Sequence, residues 1–405
     1  MMSGVIRNKH IVMGVCGGIS AYKIPELLRI LVKKGASVKV LMTRNAEAFI
    51  GKTTFEALSG NPVCVSLFDE KSEGSIRHIS WAQEADAVIV APATANMIGK
   101  LANGIADDAL STFMLAVTSP RMICPAMNTN MYENRAVQRN IDILESDGYT
   151  VIEPDAGELA CGVTGAGRLP SPEFIADRLQ KLLYDKDLLN KKILISAGPT
   201  IEPIDPVRFI SNHSSGKMGY AIAKAAEYRG AEVTLVSGPT SLCPPIGVRV
   251  VHVKTADEMA ESMLGNMEQS DIIIKVAAVA DYKPVVRAEH KIKKTDERLS
   301  LHLEKNIDIL KVLGERKKQQ ILVGFAAETQ ELDNNAQKKL REKNLDLIVG
   351  NLVGSTASAF GSDSNKVTLY FPNGEKKSLP IMGKDEVANI LLDHIAGKVM
   401  TDDDR

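Results

Sequence analysis

Two loops in this sequence have the composition to hold phosphate groups. The first, GVCGGISAYK over residues 14–23, follows an apolar run and sets Gly17 and Gly18 ahead of Ser20. Small residues let backbone N–H groups approach a phosphate, and a following helix adds the partial positive charge of its N-terminus. Glycines at 14, 17 and 18 do not make the GxGxxG dinucleotide fingerprint, so the loop reads equally as a tight turn without a ligand. The second loop, GPTIEPIDPVRFISNHSSGKMG over residues 198–219, contains a Gly-Lys pair. Ser211 stands where a Walker A loop has its first glycine, which rejects that motif. Ser211, Ser214, Ser215 and Lys217 still make an anion cradle, set against the plainer reading of an N-cap cluster with a solvated lysine.

Further candidates lie in both halves. APATANMIGK, residues 91–100, is a small-residue loop behind the strand 87–90, where open parallel sheets form their ligand crevice. In ADDALSTF the adjacent Asp107 and Asp108 would point in different directions on a helix, so capping is expected there rather than an acid/base pair. His78 is single in its segment, and a structural role is the commoner one. Asn128, in PAMNTNMY, offers both donors and acceptors, or simply stabilises a turn. Cys161, in the glycine-rich ELACGVTGAGRL, is a small residue of a flexible stretch or an exposed reactive thiol. In the C-terminal half Asp281 ends a strand over 271–276 and suits a ribose, a base or a metal. Lys291, Lys293 and Lys294 form a solvated run or neutralise a triphosphate. Lys339 and Lys343, four apart, share one face of a helix.

The elements that must position these groups repeat one scheme. An apolar strand over 10–15, a helix over 19–34 with Ile24, Leu27, Leu28, Leu31 and Val32 on one face, and a strand over 37–42 form a βαβ start. A second start appears at 192–196, 216–228 and 232–236, with a long loop over 198–215. Such units build parallel sheets covered by helices, so the fold class is α/β with two Rossmann-like domains. A closing helix over 174–183 and a polar restart set the junction near residue 188, giving domains 1–188 and 189–405. With 405 residues, 49 basic and 50 acidic side chains and a net charge of −1, a general nucleic-acid or membrane-surface binder is not expected. No apolar run nears the roughly 20 residues that span a bilayer. The first ten residues lack the apolar core of a signal peptide. Five cysteines without a CxxC pair point to reduced thiols and a cytoplasmic protein.

Together GGISAYK, APATANMIGK, ADDALSTF, PAMNTNMY and LACGVTGAGR resemble the homo-oligomeric flavin-containing cysteine decarboxylases. The resemblance implies a flavodoxin-like flavoprotein domain with FMN held by Gly17, Gly18, Ser20, Thr43, Ala91, Pro92, Thr94, Asn96, Ser111 and Thr112. It also puts His78, Asn128 and Cys161 at catalytic positions. Losing CO2 from a cysteine carboxylate needs an electron sink, which oxidation of the side chain by the flavin provides. Cys161 would then supply a proton to the returning product. Asn128 would bind the substrate carboxylate, and His78 would act beside it as a base or orienting group.

SNHSSGKMG, AAVADY, KIKK and VGFAAET resemble phosphopantothenate–cysteine ligase. Nearly the full chain therefore looks like the bacterial bifunctional decarboxylase/ligase family of coenzyme A synthesis. That resemblance implies carboxylate activation by CTP to an acyl-cytidylate, then attack by the cysteine amine. It assigns CTP to Lys275, Val276, Ala277, Asp281, Lys291, Asn306, Ile307, Asp308, Ile309, Phe325, Lys339 and Lys343, and the acyl-cytidylate to Asn212. Mg2+ would accompany the triphosphate, with Asp281 as its protein ligand. Lys275 and Val276 depart from the small or apolar residues expected before AAVADY, which leaves a side-chain role at Lys275 open. The family further implies a homo-oligomer, a dodecamer of decarboxylase trimers and ligase dimers, with small-molecule substrates. Two other readings stay open: a flavin electron-transfer protein with a degenerate second half, and a nucleotide-sensing protein without catalysis.

Overall fold

The computed structural model describes residues 5–66, 77–158, 162, 164–293, 299–328, 331–352 and 362–403. They divide into two compact units between Tyr184 and Asp185. In the first, β1 (His10–Val15), β2 (Ser37–Met42), β3 (Val63–Cys64), β4 (Ala87–Ala93), β5 (Arg121–Pro125) and β6 (Tyr149–Val151) form one parallel sheet in the order β3-β2-β1-β4-β5-β6. The helices are α1 (Ile24–Lys33), α2 (Lys52–Ser59), α3 (Arg77–Glu84), α4 (Ala95–Ala102), α5 (Ala109–Ala116), α6 (Thr129–Tyr132), α7 (Arg135–Ser146) and α8 (Pro172–Leu182). A separate antiparallel hairpin joins β7 (Asp155–Glu158) to β8 (Thr164–Arg168).

Alternate residues of β1 enter different cores. Ile11, Met13 and Val15 join Leu27, Leu28, Ile175 and Leu179, whereas Val12 joins Leu110, Phe113 and Met114. A strand buried on both faces reads as an unbroken apolar run, which is why β1 stands out in the sequence. On α1, Ile24, Leu27, Leu28 and Leu31 are buried at helical spacing. Two expectations need correction here. Residues Ile19–Lys23 form a 3-10 turn and the α-helix begins only at Ile24, because Pro25 has no N–H to continue an α-helical ladder backward. Val32 lies on the exposed flank rather than the buried stripe.

In the second unit the elements are β9 (Lys192–Ala197), β10 (Ile201–Pro203), β11 (Phe209–Ser211), α9 (Lys217–Tyr228), β12 (Glu232–Ser237), β13 (Arg249–His252), α10 (Ala256–Met267), β14 (Ile272–Lys275), β15 (Tyr282–Pro284), β16 (Leu303–Lys305), α11 (Ile309–Arg316), β17 (Ile321–Glu328), α12 (Leu332–Glu342) and β18 (Leu347–Leu352). After them come β19 (Ser364–Asn365), β20 (Val367–Tyr370), β21 (Lys376–Ser378), β22 (Met382–Gly383) and α13 (Lys384–Asp403). The main sheet runs β13-β12-β9-β14-β17-β18-β20-β21; its first six strands are parallel and the last two antiparallel. Ile193, Ile195 and Ala197 of β9 pack with α9 and α13, and Leu194 packs on the opposite face with α10 and α11. The expected loop over 198–215 is partly ordered as the β10–β11 hairpin.

Both parallel sheets place their first strand centrally, with the second and third strands to one side and the fourth on the other. The chain therefore leaves β1 and β4, and β9 and β14, in opposite directions. That divergence opens a crevice at the carboxyl ends of the strands. Among the described residues no helix is long and apolar enough to cross a membrane.

Candidate functional site

In the first unit three loops meet beyond the carboxyl ends of β1, β2 and β4. The Cys16 amide donates to Pro92 O at 3.3 Å, and the Thr43 amide donates to Val15 O at 3.0 Å. A Cβ at Gly17 would come within 2.6 Å of Asn45 Cβ and 2.8 Å of its carbonyl oxygen, so only glycine permits this approach. Cys16 sits beneath the loop, its thiol pushed up to about 12 by burial, which makes it a packing group rather than a nucleophile. Thr43 Oγ1 is buried and has no hydrogen-bond partner. A buried hydroxyl without a partner is costly, and Thr43 follows β2 with its amide bonded to Val15 O, two residues before Gly17. Ser20 is half-buried on the 3-10 turn.

The expected loop over 91–100 is mostly regular structure. Ala91 and Pro92 are buried in β4, Thr94 caps α4 by accepting from the Met97 amide, and Asn96 is exposed on the first turn of α4. Asp108 caps α5 in a reciprocal box with Ser111, whose hydroxyl is thereby engaged. Lys100 bridges Asp107 and Asp108 at 2.6 and 2.7 Å. The two acids are thus a cap and an ion pair, as capping chemistry predicts. Thr112 Oγ1 makes a long contact to Ala106 O at 3.4 Å.

Asn128 caps α6, its Oδ1 accepting from the Asn130 amide at 2.9 Å. The stretch expected to be a flexible loop around Cys161 is bracketed by the β7–β8 hairpin. β8 packs directly on this turn: the Met127 amide donates to Gly167 O at 3.0 Å, and a Cβ at Gly167 would lie 2.2 Å from Met127 O. The hairpin ends therefore approach the turn that carries Asn128. Cys161 lies outside the described residues. His78 is in the first turn of α3.

In the second unit a cavity of about 510 Å³ opens beside β9 and β14. It brings together Asn212, Lys275, Val276, Ala277, Asp281, Phe325 and Lys339, all named from the sequence. Lys217 and Lys384 also line it, so four lysines face one acid, Asp281, among the described lining residues. The turn after β14 is pinned from β9. Ser196 Oγ accepts from the Val276 and Ala277 amides at 3.1 Å, and Thr200 Oγ1 accepts from the Ala280 amide at 3.0 Å. Two long side chains grip the same turn: Lys275 Nζ donates to Ala277 O at 2.8 Å, and Asn212 Nδ2 donates to Val279 O at 3.0 Å. Burial, with Lys343 nearby, brings Lys275 down to about 8. Its side chain is thus part of the cavity and not merely a backbone neighbour.

Several named residues lie outside the cavity lining. Asn306 donates to Ala280 O at 2.8 Å, and its own Oδ1 is buried without a partner. Asp308 caps α11, and Lys343 pairs with it at 2.7 Å. Lys339 turns instead to Glu328 at 2.6 Å, so the two lysines expected to share one helical face serve different carboxylates. Lys343 falls at the C-cap of α12, where the helical spacing ends. Ile309 is a core residue of α11 with its side chain buried, and Ile307 is partly exposed. Lys291 is exposed, and its neighbour Ile292 donates its amide to Asp205 at 3.2 Å.

Sequence reasoning passed over Asp205, Asn351 and Lys384. Asn351 at the carboxyl end of β18 was accessible from the strand-end rule; Lys384, at the start of α13, has no local signal. Among the described residues no group of three or more His, Cys, Asp or Glu forms a metal site.

Residues 2–184 match the model of the Flavoprotein family, and residues 188–399 match that of the DNA/pantothenate metabolism flavoprotein C-terminal domain. Over 396 residues the chain is 50% identical to the coenzyme A biosynthesis bifunctional protein CoaBC of Bacillus subtilis (strain 168), covering 97% of this chain and 98% of that protein. The protein of the same name from Escherichia coli (strain K12) is 46% identical over 395 residues, 96% of this chain and 97% of that one. A crystal structure of the C-terminal domain of a CoaBC protein, 46% identical, covers 54% of this chain and 100% of its own length with a TM-score of 0.47.

Proposed function

Since this chain belongs to the family of bifunctional coenzyme A biosynthesis proteins, we propose that each unit carries one active site at its strand switch point, for FMN in the first and CTP in the second. The chain is a bifunctional enzyme of that synthesis. Its flavoprotein half is a phosphopantothenoylcysteine decarboxylase, and its C-terminal half is a phosphopantothenate–cysteine ligase.

In the decarboxylase half, Gly17, Gly18, Ser20, Thr43, the turn from Ala91 to Asn96, and the Ser111–Thr112 step hold FMN. The partnerless Thr43 hydroxyl supports this reading, because a polar ligand would satisfy it. When bound, FMN supplies the two-electron sink that decarboxylation of a cysteine carboxylate requires. Asn128 holds that carboxylate through an uncharged amide, which does not oppose its departure as a strong ion pair would. His78 orients the substrate or takes a proton, and Cys161 returns one to the product.

In the ligase half, a carboxylate oxygen is a poor leaving group, so the phosphopantothenate carboxylate displaces pyrophosphate from CTP. The cysteine amine then displaces CMP. Asn212 stands at the activated acyl group; Lys275, Lys291, Lys339 and Lys343 face the phosphates. Mg2+ enters with the triphosphate and needs only Asp281 from the protein, in keeping with the preference of this ion for phosphate and water oxygens. The cavity carries the ligase reading: Lys275 and Lys339 line it together with Lys217 and Lys384, while Lys291 and Lys343 lie outside its lining. The product of the C-terminal half is the substrate of the N-terminal half.

The enzyme is further proposed to be cytoplasmic, where CTP is available, and homo-oligomeric, a dodecamer of decarboxylase trimers and ligase dimers. Exposed Val207, Phe209, Val286 and Leu299 offer apolar surface that a second copy would cover. Mass spectrometry of products from phosphopantothenate, cysteine and CTP, with pyrophosphate followed alongside, tests the sequence of reactions. The expected outcome is 4'-phosphopantetheine, CO2, CMP and pyrophosphate. Purified protein that is colourless and cannot take up FMN would remove the first-half reading.

A further inference from the structure

Asp205 lies in the turn between β10 and β11 with its side chain fully buried. One oxygen accepts from the amides of Val207 and Arg208, each at 2.8 Å. The other accepts from Arg208 Nη2 at 2.6 Å, Arg208 Nε at 3.0 Å and the Ile292 amide at 3.2 Å. Arg208 Nη2 also donates to Ile292 O at 2.9 Å, so the carboxylate and the guanidinium hold both backbone polar groups of one residue, Ile292. The Arg208 side chain keeps the Asp205 carboxyl well below the usual carboxylate range, and a buried charge held in this way is a firm fixture.

This geometry ties two segments far apart in sequence. From Arg208 the chain passes through β11 to Asn212, while Ile292 is flanked by Lys291 and Lys293. A second tie runs from the Ala288 amide to Ile204 O at 3.0 Å. We infer that Asp205 is a positioning residue of the ligase half, fixing the Lys291 segment to the hairpin that carries Asn212 so that both act on one nucleotide. The inference rests on the proposed contact of Lys291 with CTP.

Asn at this position is nearly isosteric and separates the two functions of the carboxylate. Its oxygen still accepts from the turn amides, but its NH2 faces the Arg208 and Ile292 donors and accepts nothing. In the full-length enzyme, Asp205→Asn is expected to raise the apparent KM for CTP about tenfold, the scale of a lost charge-assisted hydrogen bond. Hydrogen exchange at the Ile292 amide should accelerate, and FMN-dependent decarboxylation should be unchanged. Ile292→Pro removes the amide donor while leaving Asp205 intact, with the added constraint of a fixed φ, and should raise the CTP KM in the same direction, which keeps the test open if Asp205→Asn folds poorly. Lys291→Ala should also weaken CTP, and the Lys291→Ala/Asp205→Asn double variant should be no worse than Lys291→Ala alone. If Lys291→Ala binds CTP normally, the nucleotide reading of Lys291 fails and the inference goes with it. If Lys291→Ala is impaired while Asp205→Asn and Ile292→Pro are normal, or the effects are additive, the positioning role alone is overturned.

Discussion

Lys343 Nζ stands 2.7 Å from Asp308 Oδ2, joining the C-cap of α12 to the N-cap of α11. Burial raises the Asp308 carboxyl, but the hydrogen bond and charge of Lys343 outweigh it and hold it below its ordinary value. The pair is half-exposed on the acid side, so its contribution to folding is small, about 1 kcal/mol or less. Lys343→Met should therefore leave the melting temperature nearly unchanged. Its effect belongs in nucleotide binding: apparent CTP affinity should fall about tenfold or more, read by pyrophosphate release against CTP concentration. A large loss of stability with normal CTP use would contradict this division.

Lys275 gives the ligase half a pH dependence. Burial, aided by Lys343, lowers its amine from the ordinary 10.5 to about 8. As pH rises through 8 the cavity loses a cation, so CTP affinity should decline in that range. Lys275→Arg keeps its charge and should flatten the decline. The stability of this unit moves the other way. Between 8 and 10.5 the unfolded chain binds more protons than the folded one, so stability increases with pH across that window. Calorimetric CTP titrations at several pH values check the first point, and urea unfolding checks the second.

Thr43→Val removes a buried hydroxyl that lacks a partner in the protein. The ligand-free unit should be as stable as before, or more stable by up to about 1 kcal/mol. FMN retention should weaken about tenfold if the hydroxyl serves the cofactor. Equilibrium dialysis of FMN and thermal melting of the stripped protein separate these effects; undiminished FMN binding would exclude Thr43 from the site.

Cys161→Ala should still release CO2 from phosphopantothenoylcysteine but give little reduced product. Simultaneous measurement of labelled CO2 and 4'-phosphopantetheine decides it. Equal yields of both would refute the proton-donor assignment.

How much of this was legible depended on where each signal resides. β1 was found at its observed bounds because a strand buried on both faces is a local apolar run, and β2 because its residues alternate. Helix α1 was started too early, since the apolar spacing continues through residues that Pro25 excludes from the α-helix. β8, with the sequence TGAGR, has no β-branched residue beyond Thr164, and its place is set by contact with Met127, which no local pattern encodes. At the ligase site the strand-end rule reached Asp281, whereas Phe325, inside β17, came only through the family resemblance. Asp205 went unnoticed, because its partner Ile292 is 87 positions away and no local pattern links them.

The ion pairs of Lys339 with Glu328, Lys343 with Asp308 and Lys217 with Asp363 have a consequence for selectivity. Each lysine already has a carboxylate partner, so an incoming anion must compete with it. A lone phosphate gains one such exchange and then loses its own hydration. A triphosphate makes several exchanges within one molecule, each new contact following at high effective concentration. With these lysines at the phosphates, as proposed, the protein would favour a ligand with phosphates in series over a single phosphate.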